Sequence, residues 1–239
     1  MTGLRSVVMV PTWVCPNNCS YCSVPVDWRT RSEDSGISPE AWAERINSLG
    51  DVMLDWTGGE PACYPGIVDL GLALDRPVAV TSSLKPRIDV WQELGDAGAI
   101  RHITCSYHRQ LWDSASDFLR AAEEVAAHVP GISISIVRGH ESIEEIVDRG
   151  FRIGINLYDH PIVKSRRKMC TAGVHNINVS PDGQVYRCWQ WQRLGQGSLG
   201  NLWGTWHLLP APAQCDILCA NCYFEGQFGV EVGKEGDPC

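Results

Sequence analysis

Cys15, Cys19 and Cys22 crowd three thiols into one short stretch, Cys15-Pro-Asn-Asn-Cys19-Ser-Tyr-Cys22. The C-x3-C-x2-C spacing hangs from the end of an apolar, β-prone run, Val7 to Val14. Thiolates are soft ligands, and three held this close suit one compact polynuclear centre of the iron–sulfur kind. A mononuclear tetrahedral site would want a fourth ligand. On a four-iron cluster, three cysteines leave one iron without a protein ligand, and that corner can bind and reduce a molecule. A structural zinc knuckle or a set of redox-active thiols is the competing reading of the same residues.

A second group of thiols lies near the other end of the chain. Cys170 and Cys188 flank the stretch Asn176–Cys188, and Cys215-x3-Cys219-x2-Cys222 follows. Pro181-Asp182-Gly183 between two alternating runs predicts a β-hairpin, since Pro sets φ and Gly supplies positive φ. Read alone, these thiols fit a closed iron–sulfur site or a structural zinc ribbon equally well.

The first trio has a companion motif. Gly58-Gly59-Glu60-Pro61 follows a second expected strand, and Tyr21 precedes the last cysteine of the trio. Together they resemble the radical S-adenosylmethionine (SAM) superfamily. The resemblance implies a 4Fe–4S cluster on Cys15, Cys19 and Cys22 whose open iron chelates SAM, and cleavage of SAM to a 5′-deoxyadenosyl radical by an electron from a flavodoxin- or ferredoxin-like reductant. It also implies cofactor contacts from Tyr21, Gly58, Gly59, Glu60 and Pro61, with Glu60 accepting from the SAM ammonium. Ser83, Ser106 and Arg138 are further candidates for SAM; Arg138 has a rival role at the substrate. The hairpin and its cysteines resemble the twitch cap, the shortened SPASM extension. That implies an auxiliary 4Fe–4S cluster on Cys170, Cys188, Cys219 and Cys222, with Cys215 as an alternative to Cys219. The spacing is similar to that of twitch-bearing aminocyclitol alcohol dehydrogenases of 2-deoxystreptamine biosynthesis.

The elements that must position these groups are legible in outline. Residues 5–160 alternate β-rich and helical patterns, which predicts an α/β fold of βα units on a parallel sheet. The expected strands are 6–14, 51–57, 77–83, 100–106, 131–138 and 151–157. Ser38 caps a helix with Pro39 at its first position and Trp42 and Ile46 inward. A second helix carries Val90, Trp91 and Leu94; a third starts near Ser114 with Leu119, Ala122 and Val125 on one face. Ser142-x-x-Glu145 is a capping box for a fourth, stopped at Gly150. Six such units match the partial (β/α)6 barrel of the resembled superfamily. Ligands of parallel α/β sheets bind at the carboxyl ends of strands. The motifs obey this, as do Thr81-Ser82-Ser83, Ser106-Tyr107-His108, Arg138-Gly139-His140 and Tyr158-Asp159-His160. The expected divisions are a barrel over 1–163, a β-hairpin cap over 164–224 and a tail over 225–239. A short apolar helix is expected between Leu202 and Cys215.

Composition sets the bounds. The 239-residue chain can bury a full core, and 44% apolar with 20% charged residues is the make-up of a folded globular protein. A net charge of −8 supplies no general basic field for nucleic acid. Eleven cysteines, an odd number clustered at ligand spacings, do not form a secreted disulfide framework. Neither a signal-peptide layout nor a membrane-length apolar run occurs, so a cytoplasmic location without membrane contact is expected.

For function, the expected chemistry is hydrogen-atom abstraction from a C–H bond, ending in oxidation or isomerisation. The favoured substrate is a polar small molecule: a sugar, an aminocyclitol or an amino-acid derivative. A nucleotide or modified DNA base is the alternative, with Lys164, Arg166, Arg167 and Lys168 contacting phosphate or forming only a solvated connector. A peptide maturase is a third reading; with Cys15 so near the first residue, no leader-binding domain is expected ahead of it. A two-cluster electron carrier is the non-enzyme reading, and Gly58-Gly59-Glu60-Pro61 argues against it. Cys105 is a candidate hydrogen-atom donor or a core residue, Cys63 a core residue, and Cys239 unassigned. Tyr107, His108, His140, Tyr158 and His160 are candidates to hold substrate or move a proton. Trp189 and Trp191 would shield the second cluster.

Overall fold

A computed structural model describes residues 3–17, 19, 22, 24–30, 36–136, 156–159 and 169–214. Six parallel strands run in sequence order across the sheet: β1 (Ser6–Met9), β2 (Met53–Trp56), β3 (Val78–Ser82), β4 (Ile100–Tyr107), β5 (Ile132–Ile136) and β6 (Asn156–Asp159). The connections carry α1 (Val26–Thr30), α2 (Pro39–Asn47), α3 (Ile67–Ala73), α4 (Ile88–Asp96) and α5 (Ala115–Ala126). The expected caps form. Ser38 accepts from the Ala41 N–H ahead of Pro39, and Ser114 accepts from the Asp117 N–H. The helix expected after Ser142 lies outside the described residues.

The strands bury alternate residues unequally. Val78, Val80 and Ser82 of β3 are buried while Ala79 and Thr81 are half-buried, and β4 repeats the pattern. The buried set joins the helices in one apolar core whose largest members are Trp42, Trp56, Trp91 and Phe118. A parallel sheet covered on both faces reads as a continuous apolar run. Here the other face carries Thr81, Thr104, Ser106, Ser133 and Ser135, kept on one side by the register Thr81↔Thr104↔Ser133 and Ser106↔Ser135. The helices therefore cover one face, and the hydroxyl-bearing face stands opposite.

Two expectations change. Strand one ends at Met9 rather than at 14, because Pro11 has no N–H and the chain turns out of the sheet there. The expected hairpin forms. Its strands β8 (Asn176–Val179) and β9 (Gln184–Tyr186), with β10 (Ser198–Asn201), extend the same sheet, β8 lying parallel to β1 in the order β10-β9-β8-β1-β2. Ser6 Oγ seals that seam by donating to the Asn176 side chain at 2.7 Å. A helix α6 (Trp189–Arg193) directly follows Cys188. The apolar stretch after Leu202 is not helical; it ends in a small two-stranded sheet of β7 (Met169–Cys170) and β11 (Ala213–Gln214).

Candidate active site

One cavity of about 150 Å³ opens where the carboxyl ends of the first strands meet. Cys15, Cys19 and Cys22 line it with Gly58, Gly59 and Glu60, with Thr81, Ser82 and Ser83, and with Ser106 and His108. Loops from four separate strands thus converge on one place.

The thiol loop is fixed from both ends. The Cys15 N–H donates to the Arg29 carbonyl, and the buried Arg29 guanidinium donates to the Asn17 carbonyl at 3.0 Å. Beyond Pro11 the chain bonds to the Gly-Gly-Glu loop: Gly59 N–H donates to Thr12 O at 3.1 Å and Glu60 N–H to Val14 O at 2.9 Å. A Cβ on Gly59 would stand 2.3 Å from Val14 O, and one on Gly58 2.3 Å from Val10 Cγ1. Gly58 also has φ +124°. These glycines are required by the thiol loop's own approach, before any ligand is considered.

Glu60 is 2% exposed. Its Oε1 accepts from Ser82 Oγ at 2.7 Å and Ala62 N–H at 3.4 Å; Oε2 accepts from Ser83 N–H at 2.8 Å and Ser83 Oγ at 2.6 Å. Burial raises its pKa, and the Ser83, Ser82 and Ala62 donors work the other way. In this structure the carboxylate expected to accept from the SAM ammonium ties its loop to the end of β3. Four protein donors fill its acceptor positions, and Ser83 is engaged by the same carboxylate.

Cys15 is a strongly perturbed thiol. Burial first, then Glu60, Cys19 and Cys22, push it up to about 12 against the Asn17 backbone bond. Such a thiol holds its proton until a metal displaces it. The trio lines one cavity as three soft donors. That donor set fits a cluster with several metal atoms.

Other expected residues fall elsewhere. Cys105 is 0% exposed and Tyr107 5%, both in the core with Ile103, Tyr107 stacking on Phe118 at 5.0 Å. They occupy the helix-facing side of β4, so roles as hydrogen donor or proton carrier at the cavity are set aside. Alternation decides this, since Ser106 between them faces the cavity. Cys63 closes a short 3-10 turn after Glu60, its thiol pushed up to about 11 by burial and then Glu60. Pro61 opens that turn and is buried. Tyr158 stands on β6 in register with Ser135. Tyr21, Arg138, His140, His160, Lys164, Arg166, Arg167, Lys168, Cys215, Cys219, Cys222 and Cys239 lie outside the described residues. Asn17, Arg29 and Thr57, which also line the cavity, were not anticipated; the position of Thr57 directly before the Gly-Gly-Glu run was the available signal.

Residues 9–162, well over half of the chain, match the radical SAM superfamily. The chain belongs to that superfamily. Its members are enzymes that use SAM, a 4Fe–4S cluster and a reductant. Solved structures share the fold at low identity. Native anSMEcpe with bound AdoMet and Cp18Cys peptide is 12% identical, with TM-score 0.58 over 84% of this chain and 78% of its own. BtrN in complex with AdoMet and 2-DOIA is 18% identical, with TM-score 0.56 over 84% and 80%. SuiB of Streptococcus suis bound to S-adenosylmethionine is 13% identical, with TM-score 0.50 over 84% of this chain; the chain spans only 64% of SuiB's length. The cavity joins the three cysteines and the Gly-Gly-Glu loop within the matched span.

The second thiol set is partly assembled. Cys170 and Cys188 share a small apolar cluster with Ala172 and Trp191, apart from the main core. The Ala172 N–H donates to Cys170 Sγ at 3.4 Å. Trp189 stacks instead on Trp13 at 5.5 Å, and Trp13 on Trp28 at 5.1 Å, tying α6 to the thiol loop.

Among the described residues no helix is long and apolar enough to cross a membrane.

Proposed function

We propose that this chain removes a hydrogen atom from a C–H bond of a polar small molecule, with oxidation or isomerisation as the outcome. The observation that carries the reading is the single cavity on which the thiol trio, the braced Gly-Gly-Glu loop and the Ser83 and Ser106 loops converge. When bound there, the cluster and SAM supply one electron and a 5′-deoxyadenosyl radical, which becomes 5′-deoxyadenosine on taking the hydrogen atom. The chain's own residues hold and orient. Cys15, Cys19 and Cys22 ligate the metal; the loop at Gly58 and Gly59 receives the methionine end; Ser106 offers a hydroxyl to ribose or carboxylate. Thr81, which lines the cavity, offers a hydrogen bond to a hydroxylated substrate.

We assign an auxiliary cluster to Cys170 and Cys188 with Cys219 and Cys222, and the first pair's shared pocket supports it. A peptide substrate is the second reading, favoured by two similar structures described with peptides, SuiB with the precursor peptide SuiA and anSMEcpe with Cp18Cys.

Anaerobically reconstituted protein, reduced with dithionite and given SAM, should release 5′-deoxyadenosine and methionine. Cys15→Ala should abolish this and lose about four irons per chain. Cys222→Ala should lose a similar amount yet keep the first cluster. A protein that binds only zinc, or leaves SAM intact under strong reductant, overturns the enzyme reading; unchanged iron in Cys222→Ala overturns the auxiliary cluster.

A further inference from the structure

The loop after β4 reaches the thiol loop at Cys19. Gln110 sits in the 3-10 turn Arg109–Leu111, and its side-chain Nε2 donates to Cys19 Sγ at 3.0 Å. His108 Nδ1 lies 3.5 Å from the same sulfur. Cys19 is 6% exposed, so the N–H···S contact is shielded from water although the Gln110 residue stands at the surface.

The turn that delivers this amide is held on several sides. Leu111 N–H donates to His108 O at 2.9 Å, and Lys85 Nζ donates to Leu111 O at 2.8 Å. The same ammonium stands 4.4 Å over the Trp112 ring, which packs edge-on against Phe118 of the core. Ser83 Oγ lies 2.6 Å from Glu60 Oε2 and 3.0 Å from the Lys85 carbonyl, and its one proton is shared between these two acceptors. A continuous set of polar contacts thus runs from the Gly-Gly-Glu-Pro loop, through the end of β3 and the turn after β4, to the Cys19 sulfur.

We propose that Gln110 is a positioning residue for the metal centre, whose amide N–H donates to the Cys19 thiolate and sets how readily the centre accepts an electron. The inference rests on the reading that the trio holds a 4Fe–4S cluster. Reduction places extra negative charge on the cluster and its ligand sulfurs, and a donor aimed at one of those sulfurs stabilises the more negative state. Hydrogen bonds to ligand sulfurs are among the factors that set the potential of such clusters, and partners behind a ligand also fix its orientation. A neutral amide does this for one sulfur without adding net charge.

The test is a redox titration of reconstituted protein followed by electron paramagnetic resonance, which reads the midpoint potential of the loaded fraction only. Iron and sulfide are assayed alongside. Wild-type protein without a cluster would sink the underlying reading rather than this inference. With the cluster present, Gln110→Leu should shift the first cluster's midpoint to a more negative value. Gln110→Glu, which puts an acceptor and a negative charge beside the sulfur, should shift it further in the same direction. Gln110→Lys, which restores a donor, should return it to or above the wild-type value. Identical midpoints in all four proteins overturn the proposal. So does a wild-type midpoint in Gln110→Leu with shifts only in the charged variants, because charge rather than the hydrogen bond would then be acting.

Discussion

Glu60 ties the Gly-Gly-Glu loop to the end of β3. Its spacing after two glycines suggests a carboxylate presented to a ligand, yet its oxygens are taken up by Ser82, Ser83 and Ala62. Removing it strands the Ser82 hydroxyl proton and the Ser83 N–H in a buried place, while Ser83 Oγ keeps the Lys85 carbonyl, and each buried donor left unpaired costs about 1–3 kcal/mol. Glu60→Ala should therefore lower stability by about 2–4 kcal/mol in urea unfolding. It should also weaken SAM binding, read by equilibrium dialysis, more than it lowers iron content. A variant of wild-type stability with weakened SAM binding would return the carboxylate to the ligand.

At the scale of elements, the thiol loop is shaped by the segment Pro11–Val14, which leaves the sheet and lies along the Gly-Gly-Glu loop. That pairing uses the N–H groups of Gly59 and Glu60 and leaves no room for a side chain on Gly59. Gly59→Ala must therefore push the two loops apart by more than side-chain adjustment allows, since the obstructing atoms at 2.3–2.5 Å are backbone. The variant should retain its far-ultraviolet circular dichroism but incorporate markedly less iron and sulfide at the first cluster. Full iron loading would show that the loops separate without disturbing the trio. Strand alternation acts at the same scale. It sends Ser106 to the cavity and Cys105 and Tyr107 to the helices, a distinction of one residue in register.

Across the whole molecule, one core joins the barrel and the hairpin. Val179, Val185, Leu199 and Leu202 belong to the same apolar cluster as Leu54 and Trp56, and Trp203 packs edge-on against Trp42 at 4.5 Å. The polar face of the sheet has its own electrostatics. His102 bonds Ser133 Oγ at 2.9 Å, and burial, then the nearby Arg101 charge, lower its pKa below the ordinary value of 6.5. The unfolded chain therefore takes up this proton before the folded one does. Stability linked to His102 is intact above the unfolded value and is lost as pH falls through the folded one. Wild-type protein should lose stability between about pH 7 and pH 5, and His102→Gln should lose less, in urea midpoints compared across that range. Equal slopes would mean that the imidazole is free to charge in place.

The thiol spacings, the Gly-Gly-Glu-Pro run, the alternation of strands and helices and the caps at Ser38 and Ser114 are local patterns, and local chemistry alone determines them. They were enough to point to the superfamily, whose model matches residues 9–162. Which atoms meet was decided only by long-range packing. The parallel pairing of β8 with β1 joins residues 6 and 176. The Glu60 brace comes from β3, the Gln110 amide meets Cys19 across ninety-one positions, and Cys105 turns to the core. Such contacts depend on register and on which face of a strand looks inward, and spacing along the chain carries no information about either.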